Sequence, residues 1–281
     1  MINGKNGCWW LMAALVAVSL MVGACSHEAP TVQLSAEDRF ALGVKKFQDE
    51  DYLGAIEEFK VITLQFQGTS VADKAQFYMA ECRFRREEYI LAAYEYDMLI
   101  RTMSTSELVG KARFQRATCF YELSPKYYLD QDYSRKAIDE YQAFLEYFPT
   151  DSLAPVAESR IGELNTKLAH KEFNNGMTYL KLEYYKAATY YFDLVLEKYH
   201  DTPYAEPSLL RKAEALRYRK RFSDAKQELA KFLARYPSST LRPEAEALDK
   251  DIDAEMESAR LTAQKKLSEH SSSVPATVPR N

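Results

Sequence analysis

The stretch Gly110–Thr150, GKARFQRATCFYELSPKYYLDQDYSRKAIDEYQAFLEYFPT, decides the fold. Two amphipathic patterns flank a polar insert. The first places apolar or small residues at Ala112, Phe114, Ala117, Phe120 and Tyr121. The second places them at Ala137, Ile138, Tyr141, Phe144, Leu145 and Phe148. Spacings of three and four residues put each set on one face of a helix. Pro149 ends the second helix, because it lacks an amide donor and restrains the residue before it.

The second helix reads as a small residue (Ala137), an aromatic one turn on (Tyr141), and a proline just past the end (Pro149). A small residue lets a neighbouring helix approach, and the ring fills the space beside it. That is the grammar of tetratricopeptide repeats. It recurs as Ala55 with Phe59, Ala92 with Tyr96, Ala188 with Phe192, and Ala225 with Leu229 and Pro237. Each of these four alanines has a small residue twelve positions upstream: Gly43, Ala80, Gly176 and Ala213. Each also has an aromatic three positions upstream: Tyr52, Tyr89, Tyr185 and Phe222. In the opening stretch the upstream partner, Ala117, stands twenty positions away, because the insert around Leu123–Asp132 intervenes. Successive alanines are 37, 45, 51 and 37 residues apart, which predicts five helix pairs with two of the steps lengthened by inserts.

The fold expected is therefore all-α, a right-handed solenoid of five tetratricopeptide-like helix pairs. Ser35 is placed to cap the first helix, with Glu37 and Asp38 in its opening turn. Leu241–Glu269 reads as a long charged helix, opened by Pro243, with no second helix to match it. It suits a capping helix, since the end of a solenoid needs a polar outer face. No alternating β-branched run suggests a sheet. The repeat domain spans 35–269. The serine- and proline-rich stretch 270–281 is expected to be a disordered tail.

At the other end the chain opens MINGKNGCWWLMAALVAVSLMVGACS. Lys5 precedes an apolar run from Trp10 to Val22, of signal-peptide length and short for a membrane span. Val22-Gly23-Ala24-Cys25 then places small residues before a cysteine, which resembles the lipobox of bacterial lipoproteins. That resemblance implies a signal peptide over 1–24, lipidation of Cys25, and a lipid-anchored linker over 25–34. Ser26 follows the cysteine where an aspartate is associated with inner-membrane retention, which favours the outer membrane, on its periplasmic face. More than one acyl chain makes such anchoring stable.

Composition narrows the function. The formal charge is −4, and loss of Lys5 with the leader makes it one unit more negative, which argues against nucleic acid as the main partner. Twenty tyrosines against only nine glycines describe a helical contact surface and not a loop-rich enzyme. The four histidines, His27, His170, His200 and His270, show no metal-ligand spacing. No catalytic triad order, phosphate-cradling loop or zinc pattern is present. Acidic runs such as Asp49-Glu50-Asp51 read as solvated turns. The reading is of a non-enzyme without cofactor or metal. Beyond Cys8 and Cys25, only Cys82 and Cys119 remain, at equivalent places 37 residues apart. Stacked helices sit about 8–10 Å apart. A disulfide needs Cα atoms within roughly 7 Å. Two buried free thiols are expected.

The first helices carry an aromatic row. Phe40, Phe77 and Phe114 are 37 apart, as are Phe47, Phe84 and Tyr121. Within each helix the two rings are two turns apart on one face. These positions tend to line the concave groove of tetratricopeptide arrays. Such a row is a candidate platform for an extended or helical peptide, with Lys74, Arg85 and Lys111 nearby for a carboxylate. The alternative is that the rings only bridge neighbouring repeats.

Lipobox, five repeats and the third-repeat insert, with Leu123-Ser124-Pro125 and Leu129-Asp130-Gln131, together resemble the BamD (YfiO/ComL) family over roughly Ser35–Ala245. The segment that carries the resemblance is LSPKYYLDQDYSRKAIDEYQAFLEYFPTDS, Leu123–Ser152. The resemblance implies a scaffold of the outer-membrane β-barrel assembly machinery. It would bind BamA, mostly through its C-terminal repeats, and other assembly-complex subunits. Its N-terminal repeats would bind C-terminal segments of unfolded barrel proteins. Two rivals stand beside it. One is another tetratricopeptide lipoprotein, such as a type IV pilus pilotin for secretin assembly, although those arrays keep a stricter 34-residue period. The other is a periplasmic enzyme or glycan-binding accessory, which would need a polar pocket with paired carboxylates.

Overall fold

The computed structural model describes residues 34–272, and every regular element among them is a helix. In chain order these are α1 (Ala36–Gln48), α2 (Tyr52–Gln65), α3 (Ala72–Arg85), α4 (Tyr89–Thr102), α5 (Val109–Glu122), α6 (Asp132–Tyr147), α7 (Ala154–Lys181), α8 (Tyr185–Lys198), α9 (Ala205–Tyr218), α10 (Phe222–Arg235) and α11 (Arg242–Ser272). Each helix packs on the next along the chain, with few contacts between distant elements, as in a solenoid. The expected all-α array of five helix pairs and a terminal helix is what forms. The leader, Cys25, the linker up to Gln33 and the tail beyond Ser272 lie outside the described residues.

Local sequence explains the helix ends. Ser35 Oγ accepts the Asp38 amide at 3.0 Å and so caps α1. Asp51 does the same for Gly54 at the start of α2. Tyr52, Tyr89, Tyr185 and Phe222, three positions ahead of the repeat alanines in four of the five pairs, are the first residues of α2, α4, α8 and α10. Within the turn that precedes each of these helices, Glu50, Glu87, Glu183 and Lys220 take a left-handed backbone, with φ of 60–62°.

Packing follows the small-plus-ring grammar. Ala55, Ala92, Ala137, Ala188 and Ala225 are all fully buried, as are Ala80, Ala117 and Ala213 on the facing helices. Gly43 and Gly176 fill that facing role in the first and fourth pairs. A Cβ at Gly43 would lie 2.6 Å from the Phe59 ring, and one at Gly176 would lie 2.6 Å from the Phe192 ring. The ring occupies the volume that the missing side chain leaves. Cys82 and Cys119 are free and buried, as expected, and burial pushes the Cys82 thiol up to about 12.

The two lengthened steps have different causes. The first is the loop Leu123–Gln131, as expected. Gln131 is fully buried and ties the loop to itself, donating Nε2 to the carbonyls of Lys126 (2.8 Å) and Leu129 (3.1 Å). The second is not an inserted loop. It is the continuation of α7 to 28 residues. Gly162, 45 positions after Ala117, stands where a first helix would meet its partner, yet a Cβ there would touch nothing within 4 Å. No second helix folds back at that level. The helix runs on by fourteen residues, close to four turns, so that Gly176 meets Phe192 on the same side. No glycine-proline break interrupts Glu163–Asn175, and the local sequence favours continuation. The terminal helix α11 also runs further than expected, to Ser272.

Candidate peptide-binding groove

The aromatic row sits on α1, α3 and α5, and the structure places each ring against named neighbours. Phe40 and Phe47 both meet Tyr78 of the next pair, at 5.8 and 5.4 Å between centroids. Phe77 packs on Tyr96 at 5.6 Å and Phe84 on Tyr89 at 5.3 Å. Phe114 lies 5.5 Å from both Tyr141 and Phe144. The Tyr121 hydroxyl donates to Glu163 at 2.5 Å, which pushes its pKa up to about 12.

Exposure divides the row. Phe77 is 4% and Phe114 6% exposed, so these two rings close the core of their repeats. The expectation that they face an open groove is corrected: each sits between its own second helix and the following first helix, and burial of a ring against both is favourable. Phe40, Phe47, Phe84 and Tyr121 are half-buried. Lys74 and Arg85 on α3 and Lys111 on α5 are exposed, and the Lys111 ammonium lies 4.9 Å above the buried Phe77 ring. Half-buried rings and exposed cations thus share the first helices α1, α3 and α5.

Sequence reasoning missed the residues that brace the row. Tyr78, Gln115 and Arg160 occupy one register, 37 and 45 residues apart. Gln115 donates to Glu81 at 2.9 Å, and the same carboxylate takes the Tyr96 hydroxyl at 2.6 Å. Arg160 lies 4.6 Å above the Tyr121 ring and donates to Tyr141 (2.6 Å) and Thr118 (3.1 Å). The repeat spacing that revealed the rings would have revealed these partners too. Their chemistry differs from pair to pair, so no motif marked them.

A second surface lies at the α7–α8 turn. A depression of about 920 Å³ is lined by Tyr179, Tyr184, Tyr185, Tyr190, Tyr191 and Arg219. Tyr179 and Tyr191 stack within 7° of parallel, while Tyr184 and Tyr190 are 63% and 59% exposed. Open tyrosines with a neighbouring arginine have the composition of protein-interface hot spots.

Against known families, the model of the YfiO outer membrane lipoproteins matches residues 33–221, more than half of the chain. The chain belongs to the YfiO family. Its match begins beside α1 and ends at the start of α10, so the family's region holds the aromatic row, the insert and the tyrosine-lined depression. A curated relative from Rickettsia prowazekii, the outer membrane protein assembly factor BamD, is 26% identical over 236 residues, covering 82% of this chain and 92% of the relative. Among solved structures, a tetratricopeptide repeat protein from Parabacteroides merdae is 15% identical with a TM-score of 0.34, covering 83% of this chain and 79% of its own. The TPR2AB-domain:pHSP90 complex of yeast Sti1 is 16% identical with a TM-score of 0.35, covering 78% and 98%.

Among the described residues of this YfiO-family chain, no group of three or more His, Cys, Asp or Glu side chains converges to hold a metal. No described helix is long and apolar enough to cross a membrane.

Proposed function

We propose that this outer-membrane lipoprotein is a non-enzymatic scaffold for the assembly of β-barrel proteins. Membership of the YfiO family carries the reading, and the relative named as an outer membrane protein assembly factor supports it. Cys25 bears the lipid and tethers the array to the periplasmic face of the outer membrane. The half-buried rings Phe40, Phe47, Phe84 and Tyr121, with Lys74, Arg85 and Lys111, receive the C-terminal segment of an unfolded barrel protein. Such a segment ends in an aromatic residue and a carboxylate, and alternates apolar with polar. Rings held on rigid helices meet it with little ordering cost. Phe77 and Phe114 act beneath the row by fixing where those rings stand. The tyrosine-lined depression on the fourth pair supports a separate contact with a BamA-like barrel protein, because it offers open hot-spot side chains far along the array from the row.

The test is a pull-down from outer membranes with the lipidated protein. The expected stoichiometric partner is a barrel protein with periplasmic repeat domains. A secretin in its place would overturn the reading in favour of a pilotin. Cys25→Ser is expected to yield soluble protein or an uncut precursor, and retention of that variant in salt-washed membranes would remove the anchor.

A further inference from the structure

We infer that a cleft between the second helices α4 and α6 is a docking site for an acidic-aromatic peptide segment of a partner protein. It is separate from the row on the first helices and does not rest on the function proposed above. The cleft encloses about 350 Å³, the small end of the range for specific pockets. Its floor is Ala93 and Phe120, both buried. Its walls are Ile90 (48% exposed), Tyr94 (59%) and Tyr133 (40%), open to solvent. Tyr133 lies 9° from parallel with Phe120, so the floor and one wall form a flat aromatic shelf.

The charges of the cleft decide what sits on that shelf. The lining holds three cations, Arg101, Arg116 and Lys136, and two carboxylates, Asp97 and Glu140. The carboxylates are already used. Asp97 pairs with both Arg101 and Arg116, and Glu140 pairs with Arg116. Among the described residues Lys136 is the cation left over: its ammonium lies 4.1 Å above the Phe120 ring, and no described carboxylate comes within salt-bridge reach of it. A positive charge is thus held directly over an apolar floor. An aromatic or branched apolar side chain entering between Tyr94 and Tyr133 removes the walls from water. A neighbouring Asp or Glu on the same segment then meets Lys136 in a partly desolvated place, where a charge-assisted hydrogen bond is strong. A basic segment would meet the uncompensated lysine and be repelled. The cleft therefore selects sign as well as shape.

The test uses two labelled, capped hexapeptides, one with a Glu-Phe-Asp core and one with a Lys-Phe-Lys core, read by fluorescence anisotropy against the folded repeat array. The acidic peptide is expected to bind wild type at least tenfold more tightly than the basic one. Tyr94→Ala and Lys136→Glu are each expected to weaken it at least tenfold with melting unchanged, while Lys136→Arg retains it. Lys136→Glu is also expected to reverse the preference and take the basic peptide. Equal binding of the two peptides, no binding at millimolar peptide, or unchanged affinity in Tyr94→Ala would overturn the inference. So would loss of binding in Phe84→Ala with retention in Tyr94→Ala, because the peptide would then lie on the first-helix row.

Discussion

The imidazole of His170 lies flat against the ring of Tyr127, with centroids 3.8 Å apart and planes 24° from parallel. Tyr204 stacks on its other face at 4.7 Å. One histidine on α7 thereby joins the insert of the third pair to the start of α9. Lys171 reinforces the join by donating to the Leu129 carbonyl at 2.6 Å, and Lys167 by donating to Ser124 at 2.7 Å. The insert acts as a strap across the stretch of α7 that has no second helix of its own.

The strap is expected to weaken in mild acid. Burial holds the His170 pKa below its ordinary value of 6.5. The unfolded chain therefore takes up a proton first as pH falls. Stability contributed by the neutral stack is full above about 6.5 and is lost as pH falls from there through the folded pKa. Melting curves of wild type and His170→Phe between pH 7.5 and 5 check this. The difference between them is expected to change across that window, and a constant offset would show that the stack does not titrate.

The glycines of the long helix α7 give opposite outcomes. Gly176→Ala drives a Cβ into the fully buried Phe192 ring, and overpacking of that kind costs about 1–3 kcal/mol. Gly162→Ala meets nothing, so it gains about 0.5–1 kcal/mol from helix propensity alone. Thermal melts of the two variants should move in opposite directions from wild type. A matching shift would mean that Phe192 relaxes away from the glycine.

How far the sequence could be read follows from the same residues. The alanine register was legible because a helix–helix contact at Ala92 or Ala137 admits little larger than a methyl group, and both are fully buried. The two lengthened steps looked alike in sequence, since an apolar period alone does not say whether a helix turns back or runs on. Gly162 was the signal that no second helix lay there, yet its meaning needs the neighbour that is missing. Ring exposure was the least legible. Phe77 and Phe84 share a spacing and a face, but Phe77 is covered by Tyr96 and the edge of the next pair, whereas Phe84 stays half-open.

Substitutions at the left-handed turn positions are expected to stabilise. Glu87 adopts φ of 60° just ahead of α4, a region that costs an ordinary side chain about 1–2 kcal/mol. Glycine removes that strain but frees the unfolded chain, so Glu87→Gly is expected to raise stability by about 0.5–1 kcal/mol. Chemical denaturation with an unchanged m-value would confirm it. A loss of stability would show that the Glu87 side chain has a role in the turn beyond its backbone.

The two rings of α3 separate packing from recognition. Phe77 is almost wholly buried, so Phe77→Ala removes a core ring and is expected to cost about 3–5 kcal/mol of stability. Its effect on binding a barrel C-terminal peptide should appear only as the fold loosens. Phe84 is only half-buried, and Arg85, next to it in sequence, is exposed. Phe84→Ala is expected to lower stability less and to weaken peptide affinity by about 2 kcal/mol, as a hot-spot ring does. Charge reversal at Arg85, which supplies no core packing, isolates the carboxylate contact: Arg85→Glu should reduce affinity with the melting point unchanged. Measuring melting and affinity together for all three variants decides the matter. Wild-type affinity in Phe84→Ala and Arg85→Glu, alongside a large loss of stability in Phe84→Ala, would mean that the half-open rings serve only to hold neighbouring repeats together.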